Sequence, residues 1–353
     1  MLHRGLNRIN MCGIVGSISH KPVRGILLEG LRRLEYRGYD SAGLVTVQNG
    51  SFKWAKMPGK IAVLENHLKN KDWDGPIGLA HTRWATHGQP IQCNAHPHFS
   101  CDHKIVVVHN GIIENYEPLK EKLIKEGHKF QSETDTEIIV HLIEKFYKQH
   151  HQPLLAVREA IKHLQGSFAL GIIFLDRPDC LIGARLNSPL VVGLGKQENF
   201  LASDVTALLP FTKKVIYLNE NELVELRRDR ISLYGFSGKI KHRAPSTITW
   251  DITSAQKEGY PHFMLKEIFE QPQAVRSTLS YYINRNKLDI EFPTLKPLQK
   301  KLSKIKRIII VACGTAWHAG LVGKYALEEL AGLPVEVTIA SEFRYGNPVL
   351  DNQ

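Results

Sequence analysis

Apolar positions recur along this chain at two different periods. Up to about residue 240, short β-like runs dominate, at 14–19, 43–48, 77–81, 104–109, 168–175, 181–186, 189–195, 200–203, 215–218 and 222–234, the last with a turn inside it. Helical spacing is rarer. Val23, Ile26, Leu27, Leu31 and Leu34 fall on one helix face, and Ile138, Leu142, Ile143 and Phe146 on another, the second behind a capping box of Thr134 and Glu137. A shorter helix is expected over 153–164. Many strands with few helices predict an α+β layered domain of stacked sheets with helices outside.

The pattern then changes. Residues 236–262 are polar and turn-rich, with Gly238, Pro245, Gly259 and Pro261, and read as a linker; 262–281 look helical with an interruption at Pro272. From Arg307, RIIIVACGT is a buried strand ending at a glycine turn, 316–330 is helical and VEVTIA is a second strand, which together make one βαβ unit. A doubly wound α/β domain needs several such units to cover both sheet faces, so the second domain is expected to be truncated. The expected organisation is an N-terminal extension over 1–11, a first domain over 12–240, a linker and helix over 241–295, and the start of a second domain over 296–353.

Composition narrows the function classes. The 353 residues hold 46 Lys and Arg against 35 Asp and Glu, a net charge of +11. The excess is diffuse: Arg32, Arg33 and Arg37 are its densest cluster, on a segment with amphipathic helical spacing, and no basic run exists. A nucleic-acid partner is therefore not expected, and a small anionic substrate fits better. The five cysteines are odd in number and form no CxxC pair, which points to a reducing, cytoplasmic setting. No apolar run reaches the roughly 18 residues of a membrane span, so no membrane partner is expected. The opening MLHRGLNRIN lacks the apolar core of a secretory signal.

Several residues carry candidate chemistry. Cys12, in MCGIVG, follows an internal methionine and leads into a strand. A chain that starts at Met11 and is then trimmed would leave Cys12 with a free α-amine, a built-in base for the thiol. Taken alone, Cys12 reads more simply as a buried cysteine at a strand start. In AHTRWATHGQP, Arg83 has the fork geometry to grip a carboxylate, or else is a solvated loop residue. Asn110-Gly111, in VVVHNGIIEN, is expected to end a strand as a turn; functionally, the amide and the glycine N–H could meet an oxyanion. Asp135, in SETDTE, is expected in the first turn of the helix capped by Thr134, complementing its dipole or receiving a substrate ammonium.

Six histidines, His81, His87, His96, His98, His103 and His109, crowd one stretch without HExxH-type spacing, so no metal site is expected. Gly314 and Thr315 open a helix at a junction suited to phosphate, though without Walker spacing.

In combination, MCGIVG, LRRLEYRGYDSAG, HTRWATHG, NAHPH, HNGIIEN and SETDTE resemble the glutaminase domain of class II, N-terminal-nucleophile glutamine amidotransferases. The later KEIFEQP, ACGT and ASEFRYG resemble the opening of a sugar isomerase domain. The pair is similar to the glutamine:fructose-6-phosphate amidotransferase family, over residues 11–353. That resemblance implies a layered αββα sandwich followed by a doubly wound domain. It implies Cys12 as nucleophile on the glutamine side-chain amide, Asn110 and Gly111 as oxyanion hole, Arg83 on the substrate carboxylate and Asp135 on its ammonium. Thr86 and His87 would line that pocket, Trp84 would gate ammonia passage, and Thr315 would lie at the sugar-phosphate turn. The implied ligands are L-glutamine and, with a complete C-terminal half, fructose 6-phosphate; no cofactor is implied, and the family implies a homodimer. Three features depart from the pattern: residues 1–11 precede the nucleophile, only the opening of the isomerase half is present, and Ala316 stands where the family usually has Ser. The alternatives are a catalytically silent fragment that binds sugar phosphate or partner subunits, and, last, a metal hydrolase built on the histidine cluster.

Overall fold

In the computed structural model, strand β1 (Gly13–Ser19) is buried at every position, the mark of a strand covered on both faces. The residues described are 12–84, 89–249, 260, 262–284, 289–290, 295, 298, 302, 304–346, 348 and 350. They fall into two compact units, one up to residue 249 and one from residue 260.

In the first unit β1 is followed by α1 (Arg24–Arg32), the hairpin β2 (Ser41–Gln48) and β3 (Ser51–Pro58), α2 (Ile61–Leu68), β4 (Ile77–Arg83), β5 (His98–Phe99) and β6 (Ile105–Ile113). Helices α3 (Tyr116–Lys125), α4 (Glu137–His150) and α5 (Pro153–Ile161) come next. Then follow β7 (Gly166–Phe174), β8 (Leu181–Leu186), β9 (Val191–Leu194), β10 (Glu198–Ala202), β11 (Lys214–Tyr217), β12 (Glu222–Leu226), β13 (Ile231–Gly235), β14 (Ile240–Lys241) and β15 (Ser246–Thr247).

The strands form two antiparallel sheets, ordered β15-β11-β9-β10-β1-β4-β2-β3 and β14-β13-β12-β8-β7-β6-β5. Three apolar clusters explain the layering. Ile14, Ile18, Leu79, Val106, Val108, Leu181 and Leu201 pack between the sheets. Leu27 and Leu31 of α1 with Leu64 and Leu68 of α2 cover the outer face of the first sheet, against Val15, Leu44 and Ala80. Ile138, Ile139 and Ile143 of α4 with Val157 of α5 cover the second, against Val107, Leu170 and Ile182. The result is the expected αββα sandwich.

In the second unit, α6 (Phe263–Tyr282), a small antiparallel pair β16 (Ile283–Asn284) and β17 (Asp289–Ile290), then β18 (Ile308–Ala312), α7 (Gly314–Ala331), β19 (Val335–Ile339) and α8 (Ala340–Tyr345) follow in order. Strands β18 and β19 pair in parallel, from Ile308 opposite Val335 to Ala312 opposite Ile339, so the βαβ reading holds.

Several local expectations fail, each for a physical reason. Asn110-Gly111 makes no turn: β6 runs on to Ile113, with Asn110 opposite Ala169 and Gly111 opposite Phe168. The positive φ that the dipeptide advertises is spent inside the strand, at Gly111, φ +136°. A Cβ there would lie 2.0 Å from the Ser167 carbonyl oxygen, so only glycine fits. Thr134 does not cap α4, which starts at Glu137. Instead the Glu137 carboxylate reaches further back, to the N–H groups of Gln131 (2.8 Å) and Ser132 (2.7 Å). The expected linker over 236–262 supplies β14 and β15 to the two sheets. Helix α6 runs through Pro272 without interruption; that residue is exposed, where water can meet the carbonyl it leaves unpaired. Strand β3 and helices α2 and α3 escaped the periodicity analysis.

Candidate functional site

The site grows out of the inter-sheet core. Side chains alternate along a strand, so the inward row of β1, Ile18 and Ile14, continues to Cys12 just before the strand. The inward row of β4, Ile77 and Leu79, continues to His81 and Arg83, and that of β6, Val106 and Val108, continues to Asn110. At one end of the sandwich the apolar rows thus become polar, and residues from both sheets converge.

The geometry is specific. The Trp84 N–H donates to Cys12 Sγ at 3.2 Å. Asn110 Nδ2 donates to the Cys12 carbonyl oxygen at 2.6 Å, bridging the two sheets. His81 Nε2 lies 3.0 Å from both Asn110 Oδ1 and the His109 carbonyl oxygen. Both partners can only accept, so Nε2 carries the proton, which fixes the ring tautomer and the amide orientation. Burial lowers the His81 pKa to about 3, so the ring is neutral.

Asp135 is buried, and its Oδ2 accepts the Ile113 N–H at 2.8 Å. It therefore lies ahead of α4 and is held by β6, rather than in the first helical turn. Arg83 is buried too, and its Nη1 donates to the Gln89 carbonyl at 3.3 Å. Burial lowers its pKa, while the charges of Cys12, Asp135 and Asp40 act the other way. Burial pushes the Cys12 thiol up to about 11, against the Trp84 N–H and Arg83, which pull it down. As folded, the thiol is protonated at neutral pH and needs a base to become a nucleophile.

Gly38 supports the turn out of β4. Its carbonyl accepts from Thr82 Oγ1, and a Cβ on it would come within 2.7–2.9 Å of the Arg83–Trp84 backbone. The Trp84 ring meets Tyr39 edge-on at 5.3 Å. The EYRGYDSAG segment is thereby packed against the residues that hold Cys12.

The structure brings together Cys12, Arg83, Trp84, Asn110, Gly111 and Asp135. Thr86 and His87 lie outside the described residues. Thr315 is exposed in the first turn of α7, in the second unit. Sequence reasoning missed His81 as the group that orients Asn110; its signal was the polar residue two positions beyond Leu79 on an inward-facing row.

Within the histidine cluster, His81, His96, His98 and His109 are buried against one another. The rings of His81 and His96 stack at 3.9 Å, and His96 meets His98 edge-on at 4.8 Å. His96 Nδ1 accepts the His109 N–H at 3.2 Å, and His109 Nδ1 lies 2.9 Å from Thr136 Oγ1. Burial holds His96 and His98 far below the usual histidine range. Among the described residues the side chains that converge as metal ligands do are a different set, Cys101, His128, His141 and Glu144.

The chain is similar to known proteins in sequence and in fold. Residues 81–210 match the glutamine amidotransferase domain family, and residues 301–353 the SIS domain family. A glutamine–fructose-6-phosphate aminotransferase (isomerizing) of Caldanaerobacter subterraneus is 47% identical over 97% of this chain and 56% of its own length. The Aquifex aeolicus protein of the same name is 48% identical, over 97% of this chain and 56% of its own length. In fold, the glutamine phosphoribosylpyrophosphate amidotransferase of B. subtilis superposes with a TM-score of 0.59 at 19% identity, covering 92% of this chain and 65% of that one. The chain spans a little over half the length of the relatives it matches in sequence. Over 97% of its length it is homologous to isomerizing glutamine–fructose-6-phosphate aminotransferases, with a glutamine amidotransferase domain match followed by a SIS domain match.

Proposed function

We propose that the first unit hydrolyses L-glutamine to glutamate and ammonia through a thioester on Cys12. The observation that carries this reading is the pairing of the Cys12 thiol, held by the Trp84 N–H, with the Asn110 amide from the opposite sheet. An amide nitrogen has two hydrogens. One holds the Cys12 carbonyl, and the other, with the Gly111 N–H, would meet the oxyanion that forms when Sγ adds to the glutamine side-chain carbonyl. Arg83 would bind the substrate carboxylate and Asp135 its ammonium, with Thr86, His87 and Trp84 bordering the pocket. A dry site strengthens these charged contacts.

The proton balance requires a base. With Cys12 N-terminal, its α-amine, of pKa near 8 in model peptides, takes the thiol proton as the C–S bond forms and returns it to the departing ammonia. Water then adds to the thioester, the C–S bond breaks, and the thiol is restored with glutamate released. In a chain that keeps residues 1–11, the nitrogen of Cys12 is a peptide amide and cannot play this part, which favours the silent reading for that form alone. No cofactor enters the cycle. With the remainder of a full-length relative, the ammonia would aminate fructose 6-phosphate in a homodimer, with Thr315 beside the sugar phosphate, in the cytoplasm. Among the described residues no helix is long and apolar enough to cross a membrane.

The test is glutamate release from glutamine by a chain beginning at Cys12 and by the chain with residues 1–11. Activity in the first, its loss on Cys12→Ala, and inactivity of the second support the mechanism. A chain beginning at Cys12 that is folded yet releases no glutamate overturns it.

A further inference from the structure

A second cluster of reactive side chains lies in the first unit, supplied by three separate segments. Cys101 is in the turn between β5 and β6, His128 follows α3, and His141 and Glu144 share one face of α4. Cys101 Sγ is 3.6 Å from His141 Nδ1 and 3.8 Å from His128 Nδ1. Glu144 Oε2 is 3.1 Å from His128 Nδ1 and 3.4 Å from His141 Nδ1. All four donor atoms lie within 4.8 Å of one another.

These separations have a meaning. Zinc binds thiolate at about 2.3 Å and imidazole or carboxylate at about 2.0–2.2 Å, so a tetrahedral centre needs ligand–ligand edges of about 3.3–3.6 Å. Four of the six edges, at 3.1–3.8 Å, fall on or near those lengths, and all six are within 4.8 Å, a spread from which a bound ion would draw the ligands in. We propose that Cys101, His128, His141 and Glu144 form a structural zinc site that fastens the turn before β6 and the segment after α3 to helix α4.

The surroundings fit a closed site. The Lys129 N–H donates to Cys101 Sγ at 3.4 Å, as outer N–H groups do to metal-bound thiolates. The other Glu144 oxygen accepts from Lys148 Nζ at 2.8 Å. His141 Nε2 is buried without a hydrogen-bond partner, 3.7 Å from Glu137 Oε1. With Nδ1 on a metal, Nε2 carries the ring proton and points it at that carboxylate, the outer arrangement of histidine-zinc centres. One thiolate, two imidazoles and one carboxylate select zinc over calcium or magnesium, and four protein ligands leave no open position for catalysis. Cys101 is exposed, which gives the ion a way in.

The test uses the full chain, stripped with a chelator and titrated with Zn2+ against a chromogenic competitor, then loaded with Co2+. One zinc per chain, a raised Tm, and a cobalt spectrum with a thiolate charge-transfer band and tetrahedral intensity are expected. Cys101→Ser abolishes all three, whereas Cys93→Ser and Cys313→Ser leave them unchanged. Glu137→Gln, which leaves all four ligands in place, weakens zinc binding about 10- to 100-fold. Absence of stoichiometric binding, a cobalt spectrum without the thiolate band, or binding that survives Cys101→Ser overturns the proposal. Should Cys101→Ser fail to fold, anomalous scattering at the zinc edge from crystals of the unaltered chain decides the matter by the presence or absence of a peak between the four ligand atoms.

Discussion

The Nε2–H of His81 holds Oδ1 of Asn110 at 3.0 Å, and this one contact decides which end of the amide faces Cys12. His81 is on the first sheet and Asn110 on the second, so the amide proposed to meet the oxyanion is oriented by the sheet that carries the proposed nucleophile. Asn110→Ala is expected to lower kcat for glutamate release about 10²- to 10³-fold. His81→Leu leaves only the Cys12 carbonyl to hold the amide, and a loss of about tenfold in kcat with KM unchanged is expected, the worth of one hydrogen bond. Combined with Asn110→Ala, His81→Leu should add little, since both act through one group. Steady-state kinetics of the three variants check this.

Arg83→Lys keeps the charge and loses the planar fork. KM for glutamine should rise about 10- to 100-fold, the value of a charge-assisted hydrogen bond, with a smaller change in kcat. Glutamine analogues lacking the α-carboxylate should be hydrolysed equally by both proteins.

Gly111→Ala places a Cβ against the Ser167 carbonyl and forces a non-glycine residue to φ +136°. A loss of about 1–3 kcal/mol in unfolding free energy is expected, read from urea denaturation, together with lower glutamate release if the Gly111 N–H serves the proposed oxyanion hole.

Acid should unfold the first unit in a window set partly by Glu137. Burial alone raises its pKa, yet the His141 imidazole 3.7 Å away and the hydrogen bonds from Ser132 and the Gln131 N–H outweigh burial and hold it at about 2 against an ordinary 4.5. A carboxylate with a depressed folded pKa stabilises above its unfolded value and loses that contribution as pH falls. Stability should therefore decline from about pH 4.5 towards 2, and Glu137→Gln should be less stable at pH 7 with a shallower decline. Urea midpoints across pH 2–7 measure both.

Much of this was legible because strands announce themselves by period. The buried runs around Ile14, Leu79 and Val106, and the strand–glycine–helix of RIIIVACGT, needed only local information. The failures involve tertiary partners. Asn110-Gly111 reads as a hairpin because its need for positive φ is local, while the partner that lets the strand continue, β7, lies more than fifty residues away. Glu137 reads as half of a capping box because its true partners, the amides of Gln131 and Ser132, lie beyond the expected spacing. Cys12, Arg83, Asn110 and Asp135 were visible as motifs. His81 was counted only as one histidine among six, and its role follows from the row it ends. Cys101 and Glu144 are 43 residues apart and meet only once α4 is docked.

The two strand rows that end in Cys12 and Asn110 belong to different sheets, and the layer of Ile14, Leu79, Val106 and Val108 is what separates them. The sandwich thus works as a caliper: its jaws are Cys12 and Asn110, the proposed nucleophile and oxyanion donor, and its opening is set by the volume of the aliphatic side chains between them. Facing sheets lie roughly 10 Å apart, and interiors are packed too tightly to absorb a methylene unnoticed. Core substitutions that change that volume, such as Leu79→Val or Val108→Ile, should consequently tune glutamate release without touching glutamine, making the thickness of the hydrophobic layer a kinetic parameter of the proposed reaction.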